Sequence, residues 1–512
     1  MMKKRWIAMA LISLGLAAGL AGCGGGSAPK GEKPFVYMTT GYGVDMGDAG
    51  LNPHKNYSGW SAVRYGVGET LFKFSDSMEP TPWLAESYQF LDPNTVEITL
   101  KSGITFSNGN PVDGAAVKAC LDHLIAVHDR APRDMHIDNI EAEGNKVKIH
   151  TSEPCPSLIN YLCDPYGAII DMKAGADGDM VIGTGPYVAE KVSDTEIDLK
   201  KNDNYWGGKV HVAKVKVKSV TDGGAMTAAL KSGDADATYG LPYASYPSFT
   251  GNDYTISSVA TSRSFFGQFN MHSDVMKDIH VRRAISQAID KDNFVKVLLD
   301  GHGEPAEGPF PKSMPFGDGK IVPQPYDVEN AKKELAEAGW KDTDGDGYVD
   351  KDGKDLTVRW LTYPGRMELP LLAESAQESL KKIGIKVDIN NTSDHLNVLK
   401  TGDYDVYVSA LVTAPTGDPE YFFTTCALDS SAKNRGFYHS SRLEELEDKL
   451  HTAFAPEERT KLAIEMQQVI LDDYAFFFAS HLQMGIVARK GVTGLTAHPC
   501  DYYEITSDLD VK

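Results

Sequence analysis

Apolar and polar positions alternate in short bursts along this chain. Thr95-Val96-Glu97-Ile98-Thr99-Leu100 changes character at every residue, the period of a strand with one buried face. Lys214-Val215-Lys216-Val217-Lys218 repeats the pattern and turns Val215 and Val217 inward. Elsewhere the period lengthens. Asp327 can cap a helix that places Ala331, Leu335 and Ala338 on one face and stops at Gly339. Ser440 or Ser441 can open another, with Leu443, Leu446 and Leu450 inward. Strand and helix patterns are interleaved throughout, without an internal repeat, so the spacing predicts a mixed α/β protein.

The N-terminus follows a different logic. Lys3, Lys4 and Arg5 precede an apolar run from Trp6 to about Leu20, which Ala21, Gly22 and Cys23 close. A basic start, an apolar middle and small residues before a cut describe an export signal over residues 1–22. Leu20-Ala21-Gly22-Cys23 resembles the bacterial lipobox, which implies that Cys23 becomes the first mature residue and carries lipid. Residues 23–33, rich in Gly, Ser, Pro and Lys, read as a flexible tether. The chain is therefore expected outside the cytoplasm, lipid-anchored in the periplasm or on the outer face of the cytoplasmic membrane. There it has no ATP to use, and capture of a solute is favoured over metabolism.

Its 512 residues exceed what one core can organise and suit two or three lobes. The formal net charge is −20, and removing the leader takes away three positive charges. Such a surface repels nucleic acid and has no electrostatic attraction to an anionic bilayer. After Cys23 come Cys120, Cys155, Cys163, Cys426 and Cys500. The number is odd, and Cys155 with Cys163 is the natural pair for a bridge in an oxidising compartment. No Cys-x-x-Cys, His-Glu-x-x-His, Gly-x-Ser-x-Gly or Walker loop occurs. An extracytoplasmic hydrolase with a triad assembled only in space stays open as a third reading. Asp342-Thr343-Asp344-Gly345-Asp346-Gly347-Tyr348-Val349-Asp350 offers carboxylates at Asp342, Asp344, Asp346 and Asp350 with a glycine in the sixth place. That pattern suits a structural calcium, although Gly353 stands where an EF-hand has its bidentate glutamate. No cofactor is required.

Longer motifs occur in a telling order. Pro82-Trp83-Leu84-Ala85-Glu86 is followed by Ser107-Asn108-Gly109, Gly183-Thr184-Gly185-Pro186-Tyr187 and Asn202-Asp203-Asn204-Tyr205-Trp206-Gly207. Ala229-Leu230-Lys231-Ser232-Gly233-Asp234, Val281-Arg282-Arg283-Ala284-Ile285 and Ala338-Gly339-Trp340 complete the series. This order resembles the solute-binding lipoproteins of peptide and nickel ABC importers, over nearly the whole mature chain. The resemblance implies a two-lobed periplasmic-binding-protein type II fold, a clam shell with an extra subdomain in lobe I. Lobe I would hold 34–263 and 482–512, lobe II 264–481, with crossings near Phe265–Asn270 and Ser480–Ile486. The partners it implies are the importer's permease subunits and a small solute, met by a monomer. The motif residues read as structure: the glycines as tight turns, Tyr205 and Trp206 as packing anchors.

The ligand implied is a short peptide or another small carboxylate-bearing solute, the alternative being nickel or another metal held as a chelate. Leu51-Asn52-Pro53-His54 matches the start of the wall that holds a chelate in the nickel-binding relatives, with Tyr57, Trp60 and Arg64 after it. No arginine stands near Asp164-Pro165-Tyr166, where those relatives grip the chelator, and their aromatic residues become Thr413 and Gly417. The aspartate that holds a peptide amine is also missing from Ala414 to Thr416, so Asp164 is its expected replacement, and Asp418 reads more readily as a cap. Arg130 and Arg133 suit a bidentate carboxylate clamp. His498 and Cys500 suit a soft metal, with Cys426 as a third donor. The expected cleft lining is Tyr57, Trp60, Arg64, Arg130, Arg133, Asp164, Tyr166, Thr413, Thr416, Asp418, His498 and Cys500.

Overall fold

The computed structural model describes residues 33–40 and 50–512. The lipobox with Cys23 and the tether up to residue 32 lie outside the described residues. The alternating segments form strands Thr95–Leu100 and Lys214–Ser219, with Val96, Ile98, Val215 and Val217 buried. Asp327 caps the helix Val328–Glu337 by accepting the Asn330 N–H, and Ala331 and Leu335 are buried. Ala338, the C-cap, is partly buried against the same core, and the left-handed Gly339 follows it. Ser440 caps Ser441–Thr452, which buries Leu443, Leu446 and Leu450.

One large mixed sheet runs through the molecule. At one end Phe35–Thr39 pairs parallel with Lys214–Ser219 and with Ala237–Tyr239. At the other, Thr357–Thr362 pairs parallel with Lys386–Asn391 and Val406–Val412. Two long antiparallel strands, Tyr254–Phe269 and Phe476–Arg489, join the two groups. From Ala260 to Phe269 every residue of the first but Arg263 is buried. Phe266 packs against Phe476 and Phe478 at ring separations of 6.1 and 5.7 Å. A separate four-stranded antiparallel sheet, in the order Ala85–Asp92, Thr95–Leu100, Lys146–Thr151, Ile137–Glu143, forms the subdomain of the first lobe. Among the described residues no helix is long and apolar enough to cross a membrane.

Two structural readings change. Gly183 and Gly185 do not make a tight turn; neither has a positive φ. They lie against the backbone of Gly66–Gly68, where a Cβ on either would overlap the carbonyl oxygen of Val67 or Gly66. Cys155 and Cys163 are not bridged, and all five described cysteines are free. The Cys163 thiol points back to the Ile159 carbonyl of the preceding helix, Leu158–Tyr161, at 3.4 Å. The anchor reading of Tyr205 and Trp206 acquires a partner: both donate to Glu69 at 2.7 Å, which also accepts from Thr184 at 2.8 Å.

Candidate functional site

In α/β sheets, ligands lie beyond the carboxyl ends of parallel strands. Here those ends are Tyr239 in the first group, and Thr362–Tyr363, Asn391 and Val412–Thr413 in the second. The first lobe also builds an aromatic wall. Tyr57 opens the helix Ser58–Arg64 and its ring lies 5.6 Å from that of Trp60, which is 6.1 Å from Tyr502. The Arg130 guanidinium sits between two rings, 4.8 Å from the centre of Tyr57 and 5.0 Å from that of Tyr166. Its Nη2 is 3.6 Å from Asp164. Cation–π contact and a buried carboxylate thus hold the guanidinium in one orientation. Burial pushes the Asp164 carboxyl up to about 6 against the pull of Arg130.

His128 sets the backbone beneath Arg130. Its Nδ1 accepts the N–H groups of Arg130 and Ala131, both at 3.2 Å, and its Nε2 lies 3.0 Å from the Asn56 carbonyl. Both roles are met by the neutral ring with its proton on Nε2; burial lowers its pKa and favours that form. Two buried atoms in the wall, Trp60 Nε1 and Tyr166 Oη, have no hydrogen-bond partner. Buried polar groups are nearly always paired, so these are unmet donors in a wall of aromatic rings.

Of the expected lining, the structure brings together Tyr57, Trp60, Arg130, Asp164 and Tyr166. The others are committed elsewhere. Arg133 is solvated and pairs with Asp134 at 3.1 Å. Arg64 is buried and donates to the Asp501 carbonyl at 2.7 Å while its Nη2 pairs with the Asp501 carboxylate, which pins the C-terminal segment. The Thr413 hydroxyl, fully buried, faces the carbonyls of Ser262 and Pro309 at 2.8 and 2.7 Å. The Thr416 carbonyl accepts from Asn160 at 2.8 Å, which ties the second lobe's loop to the first lobe. Asp418 holds Arg459 at 2.6 Å and accepts the Glu420 N–H at 2.9 Å, the capping role.

His498 and Cys500 contact each other at 3.0 Å, with Asp76 3.7 Å from the ring. Burial lowers His498 to about 4 and raises Cys500 well above its usual value. Cys426 is buried in the core beside Phe423, and these residues form no three-donor cluster among the described residues. In the aspartate loop Asp342, Asp344 and Asp346 converge, but Asp350 turns inward to accept the Thr343 N–H at 2.7 Å and its hydroxyl at 2.8 Å.

The sequence reading missed Tyr502, Arg263 and Arg366. Arg263 was findable: Thr261-Ser262-Arg263-Ser264 is a polar run inside an otherwise apolar strand. It lies opposite Val412, at the carboxyl end of that strand. A Ser–His–Asp constellation is present too. Ser264 Oγ is 2.8 Å from His481 Nδ1, and His481 Nε2 is 2.9 Å from Asp318. The hydroxyl is fully buried and also faces the Pro309 carbonyl at 2.8 Å. It joins the two crossing strands to the 307–318 loop.

Two groups of α/β strands joined by a pair of crossing strands, together with an aromatic wall that holds a guanidinium in one orientation, suit a solute-binding protein. The family model for bacterial extracellular solute-binding proteins, family 5, middle region, matches residues 79–434. The chain belongs to this family. It is 27% identical to the nickel-binding protein NikA of Staphylococcus aureus over 448 residues, 86% of this chain and 89% of that protein. It is 27% identical to the glutathione-binding protein GsiB of Pectobacterium atrosepticum, covering 84% and 85% respectively. The crystal structure of a nickel ABC transporter protein from Bacillus halodurans superposes with a TM-score of 0.84 at 29% identity, over 94% of this chain and all of that one.

Proposed function

We propose that this chain captures a small peptide-like, carboxylate-bearing solute outside the cytoplasm and hands it, without turnover, to the permease subunits of an ABC importer. The observation that carries the reading is the wall itself. Arg130 is clamped between Tyr57 and Tyr166, and Trp60 Nε1 and Tyr166 Oη are unmet in the same surface. Aromatic faces supply contact area, the guanidinium meets a carboxylate, and the orphaned donors await carbonyl oxygens. Likeness to a glutathione-binding protein supports a peptide-like ligand. Likeness to two nickel proteins supports a second reading, a nickel chelate of a small carboxylate-bearing molecule. In that reading the wall grips the chelator, and the metal needs no ligand from it. Cys23 carries the lipid anchor, and the chain acts as a monomer. A structural calcium, if one binds, is held by Asp342, Asp344 and Asp346 without Asp350.

Calorimetry against a dipeptide library and against nickel with L-histidine separates the two ligands. Heat from peptides alone supports the first reading, and heat from nickel–histidine alone overturns it. Small-angle scattering of the liganded protein should show a smaller radius of gyration, since binding between lobes closes them. Replacing Cys23 with Ser should release the protein from the membrane fraction; retention after a salt wash refutes the lipid anchor.

A further inference from the structure

Beyond the wall, the second lobe gathers three side chains that the solute reading does not use. Glu447 and His451 stand four residues apart on the helix Ser441–Thr452, so they share one of its faces. Glu420, in the short helix Glu420–Phe422, meets that face: His451 Nδ1 is 2.8 Å from its Oε1. The other oxygen of Glu420 is 3.1 Å from Arg459. Glu447 lies half-buried beside the pair and has no hydrogen bond or ion pair among the described residues. One imidazole nitrogen and one oxygen from each carboxylate lie within 4.8 Å of one another.

Negative charge is in excess at this point. Glu420, Asp448 and Glu444 all bear on Glu447, and Glu153 of the first lobe bears on His451. The guanidinium that meets Glu420, that of Arg459, is shared with Asp418. A half-buried carboxylate beside a second one is unfavourable unless a cation joins them. The geometry suits a metal ion in that role. Ligands at right angles around an ion about 2.1 Å away stand about 3 Å apart, close to the 2.8 Å between His451 and Glu420. The ion takes the place of the proton that these two atoms share, with the imidazole neutral and its hydrogen on Nε2. Glu447 then supplies a third ligand without giving up any partner. One nitrogen with two carboxylates, and positions left for water, matches a borderline divalent ion; calcium and magnesium favour oxygen alone.

We propose that Glu420, Glu447 and His451 bind a divalent transition-metal ion of the zinc class, as a resident ion distinct from the captured solute. None of the three belongs to the Arg130 wall. The ion ties the helix Ser441–Thr452 to the loop whose Thr416 and Gly417 touch the first lobe, and so braces the second lobe's side of that contact.

The test uses the full mature chain, stripped with EDTA and titrated with zinc chloride in a calorimeter. No peptide or chelator is present, so the outcome is independent of the solute reading, which the peptide and nickel–histidine titrations judge. Wild type should bind zinc, and Glu447→Gln and His451→Gln should each weaken that binding by about 100-fold or more. Glu337→Gln and Asp344→Asn, which alter the two other places where such side chains converge, should leave it unchanged. Zinc should raise the melting temperature of wild type and not that of Glu447→Gln. Without metal, Glu447→Gln should melt at or above wild type, because one of two neighbouring like charges has been removed. A melting temperature lower by several degrees would make Glu447 a structural residue and overturn the proposal. So would no zinc binding by wild type, affinity within a few-fold of wild type in either Glu447→Gln or His451→Gln, or a comparable loss in Glu337→Gln or Asp344→Asn.

Discussion

Glu69 places opposing effects on one side chain. Its carboxylate is fully buried and receives three donors, Tyr205 on one oxygen and Trp206 and Thr184 on the other. The hydrogen bonds favour the charged form, but burial outweighs them and raises the group from 4.5 to about 7. A carboxyl with a raised native pKa binds a proton in the folded state that the unfolded chain has already released. Stability therefore falls as pH rises from the unfolded value through the folded one, and levels off above it. The full shift corresponds to about 3 kcal/mol, of which about 2.5 kcal/mol falls between pH 5 and pH 8. Glu69→Gln removes the titration while keeping the shape. The amide oxygen can accept from Trp206 and Thr184, and the Tyr205 hydroxyl can turn to accept from the amide nitrogen. Urea unfolding of both proteins at pH 5 and pH 8 should show the difference in stability moving by about 2.5 kcal/mol in the variant's favour at the higher pH. Glu504 and Asp164 titrate in both proteins and cancel in that difference. Parallel pH profiles for wild type and variant would refute the reasoning, and would mean that the three hydrogen bonds keep Glu69 ionised.

Asp418→Ala should destabilise by about 3 kcal/mol, because Arg459 would keep its buried charge with only the half-buried Glu420 carboxylate, 3.1 Å away, to meet it; chemical denaturation checks this, and a loss below about 1 kcal/mol would show that Glu420 alone suffices. Gly417→Ala should both destabilise the protein and weaken solute binding. Gly417 has a φ of +69° and touches the first lobe, where an added Cβ would overlap the Met78 carbonyl oxygen; unchanged affinity by calorimetry would contradict this role in the lobe contact.

Much of this protein was legible in one dimension. The period-two run at Thr95–Leu100 and the capped helices after Asp327 and Ser440 are local: a strand or helix with one apolar face has few other ways to bury it. Motif order carried the family and the two-lobed α/β class, because turns and anchors such as Asn202–Gly207 recur at fixed places in the fold. The site was only half legible. Tyr57, Trp60, Arg130, Asp164 and Tyr166 do meet, whereas Asp418, Thr413 and Arg64 carry the right chemistry but are matched by partners far along the chain. Asp418 meets Arg459 across 41 residues, and Arg64 meets Asp501 across 437.

Sequence by itself determined which segments fold as strands or helices, since these follow from periodicity and short-range turn chemistry; the lobed class followed from the resemblance that the order of motifs carries to a known family. The chain's acidic charge also favoured a solute over a nucleic acid. Only the tertiary structure decided which charges are neutralised. A guanidinium is a structural clamp or a ligand anchor according to whether a carboxylate from elsewhere in the chain reaches it. Arg459 and Arg263 have the same side chain, yet Asp418 closes on the first and nothing among the described residues closes on the second. That distinction arises from packing at a distance, which no local pattern encodes.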